Sequence, residues 1–137
     1  GTTSAAPVTS VDYFPTISEV TGLDLPNDRV IDGLSLVKHL RSQGKQKLDR
    51  NAIYWHFPHY RHNPGPYSII REGDWKLIKF YEGPTELFDL KNDLGEARNL
   101  ASAMPGKVRE LEGRLLAHLK SVGAKMPKLN PAAKKLN

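Results

Sequence analysis

Three histidines spaced three residues apart, His56, His59 and His62, fall in a run that also holds Tyr54, Trp55, Phe57, Tyr60 and Arg61. Neutral imidazole is a good ligand for zinc or copper, so a metal site is one chemistry these residues could do. Their spacing alone does not make one. On a strand His56 and His59 would point to opposite faces, and Pro58 interrupts any helix that would align them, so a three-histidine site needs a special loop geometry. The second chemistry is contact with an anionic or sugar ligand. Arg61 and, further along, Arg71 are planar donors suited to sulfate, phosphate or carboxylate, and Tyr54, Trp55 and Tyr60 can stack on a sugar or a base. Surface or packing roles are the third option, and Arg71 has the plainer alternative of pairing with Glu72 or Asp74 in its own hairpin. No self-contained catalytic set emerges, because there is neither a Gly-x-Ser-x-Gly elbow nor a Gly-x-x-x-x-Gly-Lys phosphate loop.

Polar groups on a loop need a rigid scaffold to hold them against a ligand. From residue 52 the pattern is β: short aromatic or β-branched runs at 52–57, 67–72, 75–81 and 86–90 are separated by turn residues. Glu72-Gly73-Asp74 is a tight hairpin connection and Glu82-Gly83-Pro84 another turn. Links this short predict antiparallel neighbours, since parallel ones need a crossover of a dozen or more residues. A helix starting near Met104-Pro105, with Val108, Leu111, Leu115, Leu119 and Val122 on one stripe before Gly123, would cover one face of the sheet.

Ahead of the sheet, Asp12 reads as the N-cap of a helix running to about Thr21, with Pro15 in its first turn and Gly22 closing it. Ile17 and Val20 would be its buried stripe, with Leu23 following. A second, short helix starts at Asp32-Gly33-Leu34-Ser35, carries Leu36, Val37 and Leu40 and stops at Gly44. Asp12 and Asp32 are thus better read as caps than as acid–base groups. Residues 45–49 are a charged surface loop, and Asn92-Asp93-Leu94-Gly95-Glu96 is a polar turn without the oxygen-ligand spacing of an EF-hand.

The expected fold class is α+β: a small four-stranded antiparallel sheet packed against a long C-terminal helix, with short helices preceding it. Residues 1–10 read as a linker, 11–50 as a helical segment, 51–124 as the sheet and its helix, and 125–137 as a basic tail. At 137 residues the chain has room for one domain, and folding at this size buries roughly two thirds of the unfolded surface. No apolar stretch approaches the roughly 20 residues that span a bilayer, and residues 1–10 lack the basic and apolar regions of a signal peptide. The absence of cysteine excludes disulfides, thiol catalysis and cysteine-ligated metal from this chain. The net charge of +5 is concentrated in the tail, at Lys125, Lys128, Lys134 and Lys135, which reads as a solvated end rather than a nucleic-acid or membrane contact.

Several segments taken in order resemble the C-terminal subdomain of sulfatases of the arylsulfatase type, over roughly residues 8–131. They are Val11-Asp12-Tyr13-Phe14-Pro15-Thr16 with Thr21-Gly22, Asp32-Gly33-Leu34-Ser35-Leu36, Tyr54-Trp55-His56-Phe57-Pro58, Arg71-Glu72-Gly73-Asp74-Trp75-Lys76-Leu77-Ile78, Glu86-Leu87-Phe88-Asp89-Leu90 and Asn99-Leu100-Ala101. The resemblance implies the C-terminal part of an alkaline-phosphatase-like fold, whose larger N-terminal domain holds calcium and a formylglycine made from a Cys/Ser-x-Pro-x-Arg motif. This chain has no such motif, nor the family's paired aspartates and Asp-Asn metal motif, so no catalytic or metal residue is carried over.

What the resemblance does imply is a partner, the N-terminal catalytic domain, and a substrate, a sulfated carbohydrate or aryl sulfate. The subdomain would support that domain and lend loops to its pocket, with His56, His59, Tyr60, Arg61 and His62 as the substrate-binding candidates. It also implies a secreted or periplasmic enzyme, and because the nucleophile is missing here, this chain alone is expected not to hydrolyse sulfate esters. A subdomain separated from its partner should expose an apolar patch, which leaves self-association open. The alternative is a free-standing module that binds anionic polysaccharide, and a weaker third reading is single-stranded nucleic-acid binding; steeply salt-dependent retention would favour either.

Overall fold

Ile70, Leu77 and Leu87 lie side by side across three strands, each fully shielded from solvent. They belong to a computed structural model that describes residues 1–60 and 65–128; Arg61, His62 and the end of the basic tail lie outside the described residues. The chain divides into two compact units, Gly1–Arg50 and a second from Asn51 onward.

The second unit contains the sheet. Strands β1 (Ala52–Phe57), β2 (Tyr67–Glu72), β3 (Trp75–Phe80) and β4 (Glu86–Asp89) are ordered β1-β2-β3-β4, every neighbour antiparallel. This is the expected four-stranded meander. The ladders stop one residue short of the expected strand ends, yet the next residues stay tied: the Tyr81 amide donates to the Pro66 carbonyl at 3.0 Å and the Leu90 amide to that of Asp74 at 2.7 Å.

Side chains alternate across a strand, so the Ile70–Leu77–Leu87 row defines an inner face that also carries Tyr54, His56, Ser68, Glu72, Trp75 and Lys79. Helix α3 (Pro105–Ser121) covers it with Leu111, Leu115 and Leu119, spaced so that all three fall on one stripe. Val108 packs partly against the same core. Val122 does not: the helix ends at Ser121, and the valine beyond it is exposed. Ion pairs Lys79–Glu112 and Glu72–Arg114 fasten the two edges of α3 to the inner face.

The first unit is organised around a buried carboxylate. Asp12 is wholly inaccessible. Its Oδ2 accepts from the Thr9 amide and from Arg50 Nη1, both at 2.9 Å, and its Oδ1 accepts from the Leu34 amide at 3.0 Å and from Arg50 Nη2. The expectation that Asp12 caps a helix is therefore corrected. The residue does stand at the N-cap position of helix α1 (Tyr13–Thr21), but its side chain makes no capping bond to that helix and instead joins Arg50, the Thr9 amide three residues back and the distant Leu34 amide. Asp32 is not a cap either, because helix α2 (Val37–Arg41) starts five residues later, behind Ser35, whose Oγ accepts from the Val37 amide at 3.3 Å. Gly33 has a different function: a Cβ there would run into the Val11 carbonyl, so only glycine lets the 32–34 segment approach Asp12.

Two further expectations are overturned in this unit. Of the apolar residues expected to pack from α2, Leu36 and Val37 are buried but Leu40 is exposed, and His39 is buried in its place. The imidazole is held by Gln46 and Ser4: Nδ1 lies 2.6 Å from the Gln46 carbonyl and Nε2 2.8 Å from Ser4 Oγ. In α1 the buried residues are Pro15 and Ser18. Tyr13, Ile17 and Val20, at i, i+4 and i+7 on the opposite side, are 62%, 60% and 67% exposed, and Phe14 beside them is 50% exposed. Leu23 is exposed as well. Helix α1 thus turns its small and polar side toward its own unit and its apolar stripe outward.

Hydrogen bonds from Arg50 hold the Asp12 carboxyl down at about 2, against an ordinary value near 3.8, despite the opposing effect of burial. With the folded value depressed, the unfolded chain binds the proton more readily, so the stabilisation is complete above about pH 5 and is lost as pH falls toward 2. The displacement is worth about 2 kcal/mol. Hydrogen exchange at the Thr9 and Leu34 amides should therefore lose protection in that window, and Asp12→Asn should remove both the protection at neutral pH and its acid sensitivity.

Candidate functional site

The loop that follows β1 and the turn that follows β3 emerge at the same end of the sheet, because the register sets Phe57 opposite Tyr67 and Tyr67 opposite Phe80. These three rings form a row on the outer face, the one away from α3. Phe57 stacks on Tyr67 with centroids 5.5 Å apart, and Tyr67 meets Phe80 edge-on at 6.1 Å. Aromatic contacts of this kind add rigidity to the end of the sheet.

His59 lies edge-on against Phe57 at 5.1 Å, so the row extends into the loop. Next to it, the Tyr60 hydroxyl donates to Glu82 Oε1 at 2.8 Å. That hydrogen bond raises the phenol above its ordinary value, because the neutral form is the one that donates. The ring itself stays more than half exposed, at 53%.

His56 sits on the inner face, and its environment is quite different. Its Nε2 lies 2.8 Å from the Lys125 carbonyl and its Nδ1 2.7 Å from Ser68 Oγ, which is in turn 2.7 Å from the Tyr81 hydroxyl. A carbonyl only accepts, so Nε2 donates to it. In the uncharged ring Nδ1 must then accept from Ser68, and the buried Ser68 oxygen accepts from Tyr81. Both ring nitrogens are occupied in tying the segment after α3 to the sheet.

The structure thus brings His59 and Tyr60 together at one outer edge and sends His56 to the other side of the sheet. Among the described residues no group of three His, Cys, Asp or Glu side chains could hold a metal ion. Arg71 is on the outer face, opposite Ile53 and Lys76, about 13 Å along the strand direction from Phe57 at the usual rise per residue. The plainer alternative, a pairing with Glu72, is not realised: Glu72 points to the inner face and binds Arg114. The Arg71 Nε is buried without a partner among the described residues.

Glu82, Ser68 and Tyr81 were not identified from the sequence. A signal for Glu82 was present, since an antiparallel meander puts every second connection at one end, and that rule alone sets the residues just after β1 at the same end of the sheet as the 81–85 turn. Nothing comparable marked Ser68 or Tyr81, whose partners come from 12 or more residues away.

Comparison with known proteins gives a consistent answer. Residues 1–125 match the family model described as N-sulphoglucosamine sulphohydrolase, C-terminal. A sulfatase of Formosa agariphila is 37% identical over 109 residues, which are 73% of this chain and 20% of that protein. An N-acetylglucosamine-6-O-sulfatase of Bacteroides thetaiotaomicron is 37% identical over 108 residues, 73% of this chain and 18% of the relative. A solved protein in complex with its substrate D-glucosamine-2-N,6-O-disulfate superposes with a TM-score of 0.75 at 33% identity, over 93% of this chain and 27% of the other. The chain spans about a fifth of the length of the curated relatives it matches.

The two histidine networks should carry opposite tautomers, Nδ1–H at His39 and Nε2–H at His56, each dictated by a carbonyl partner. Long-range proton–nitrogen NMR correlations at neutral pH read this directly, and the same tautomer at both would contradict the geometry. Ser68→Ala should leave Tyr81 and His56 without their shared partner and lower stability by about 1–3 kcal/mol in denaturant unfolding followed by tryptophan fluorescence.

Proposed function

Given that the chain belongs to the N-sulphoglucosamine sulphohydrolase C-terminal family, we propose that it is the C-terminal part of a sulfatase that hydrolyses sulfate esters of sugars. Its contribution is to support a larger catalytic domain and to line that domain's substrate pocket with the loop after β1. The observation that carries this reading is the 33%-identical neighbour that holds a sulfated glucosamine and shares the fold over nearly all of this chain.

In this reading His59 and Tyr60 contact the sugar, together with Arg61 and His62 of the same loop. His56 acts beneath them, because its nitrogens are engaged with Ser68 and Lys125. It holds the base of the loop rather than the ligand. The nucleophile and the metal come from the catalytic domain, where the family resemblance puts a formylglycine and calcium. An exported enzyme, secreted or periplasmic, fits the same resemblance. Among the described residues no helix is long and apolar enough to cross a membrane.

The outward stripe of Tyr13, Phe14, Ile17 and Val20 supports a partner of this kind. Leaving four large apolar side chains in water forgoes their burial, at about 1.5–3 kcal/mol for each side chain fully covered. We take the catalytic domain as their cover.

Three measurements test this. His59→Ala in the intact enzyme should reduce kcat/KM roughly fivefold, the size of one lost hydrogen bond, and unchanged kinetics would remove the loop from the substrate site. The purified 137-residue chain should hydrolyse a sulfate ester no faster than a heat-denatured control. Replacing both Ile17 and Val20 with Glu should make this chain more soluble while lowering the yield of folded intact enzyme; a gain in both would mean that nothing covers the stripe.

A further inference from the structure

Tyr60 and Glu82 form a contact that binds an acceptor and a donor of this chain to each other and leaves further acceptor capacity facing solvent. The Tyr60 hydroxyl spends its proton on Glu82 Oε1. What the pair then presents outward is oxygen lone pairs, those of the phenol and of Glu82 Oε2, for which no partner exists among the described residues. A carboxylate and a phenol whose proton is already committed can only accept.

Gly65 lies beside that oxygen. A Cβ on Gly65 would lie 3.7 Å from Glu82 Oε2, and the glycine has a φ of +96°, a conformation that other residues adopt only with strain. A larger residue would strain the backbone there, while its Cβ would make no more than ordinary contact with the carboxylate. Beside the carboxylate, the exposed Tyr60 ring offers an apolar face, and its chain neighbour His59 lies edge-on against Phe57 of the Phe57–Tyr67–Phe80 row.

An exposed ring next to an acceptor-only carboxylate is chemically selective. It suits a ligand with an apolar face and hydroxyl donors on its rim, as a pyranose ring has, and it repels an anion brought to the same spot. We infer that Tyr60 and Glu82 form a subsite for an unsulfated part of the sugar, in which Glu82 accepts a hydrogen bond from a free hydroxyl and excludes a sulfate group at that position. The inference rests on the reading that the loop after β1 borders the sugar site. It adds that this edge reads hydroxyl groups, while cationic side chains elsewhere would have to meet the sulfate.

The test uses this chain and two defined probes, so it does not depend on turnover by the intact enzyme. Methyl glucoside, which is neutral, and inorganic sulfate are titrated separately to about 50 mM, which reports Kd values near the millimolar level, while NMR follows the Tyr60 ring and the Glu82 side chain. The expected result is saturable shifts of both residues with the glucoside and none with sulfate. Glu82→Gln keeps the size of the side chain and an oxygen for Tyr60 but replaces the second acceptor with an N–H donor. It should weaken the glucoside at least tenfold and allow sulfate to bind. Tyr60→Phe keeps the ring but frees the carboxylate to move, and should weaken the glucoside while sulfate still fails to bind. No shift with the glucoside, equal shifts with sulfate in the wild type, or a Glu82→Gln variant indistinguishable from it would each overturn the inference. If His59→Ala impairs the intact enzyme while the glucoside fails here, the substrate-loop reading stands and only the hydroxyl subsite falls. Silence in both removes both.

Discussion

The burial of Ile70, Leu77 and Leu87 beneath Leu111, Leu115 and Leu119 is the constraint on which the second unit depends. It fixes the inner face of three strands at once, and since successive side chains alternate, it also fixes the parity of every other residue in the sheet. A shift of one residue would turn His56 outward and bury Phe57. The loop after β1 owes its character to this contact, because His56 is drawn inside to bind Ser68 and Lys125 while Phe57 is left outside as the support for His59.

A second constraint works in the first unit, where the apolar content is too thin to organise 50 residues by itself. The Asp12–Arg50 pair substitutes for a core there. Burying two charges is costly unless each finds its full set of partners, and the carboxylate has them: two amides and a bidentate guanidinium. The geometry brings together segments around residues 9, 12, 34 and 50, and the glycine at 33 permits the approach. Helix α1 is oriented by that junction rather than by its own hydrophobic pattern, which explains how its apolar stripe comes to face outward.

The described residues provide a rigid sheet end, a histidine, a tyrosine and a carboxylate at its rim, and an unpaired apolar helix face, but no nucleophile set. We propose that those parts shape the border of a site whose chemistry is done by other residues. The chain belongs to the N-sulphoglucosamine sulphohydrolase C-terminal family and spans about a fifth of the length of the curated relatives it matches.

The strand segments, the tight hairpin, the antiparallel order and the covering helix with its leucine stripe were legible in the sequence, because period-two alternation, short turns and helical spacing are local signals that burial later reinforces. The clustering of imidazole and aromatic groups after β1 was legible for the same reason. The side of the sheet on which each of them works, the use of both His56 nitrogens, the contact of Tyr60 with Glu82 and the Asp12–Arg50 junction were not. Each joins residues 12 to 69 positions apart, and local preference carries no information about such partners. The failure at α1 has the same cause: a periodic apolar stripe indicates which side of a helix will seek cover, while only the tertiary structure decides whether the cover lies within the chain.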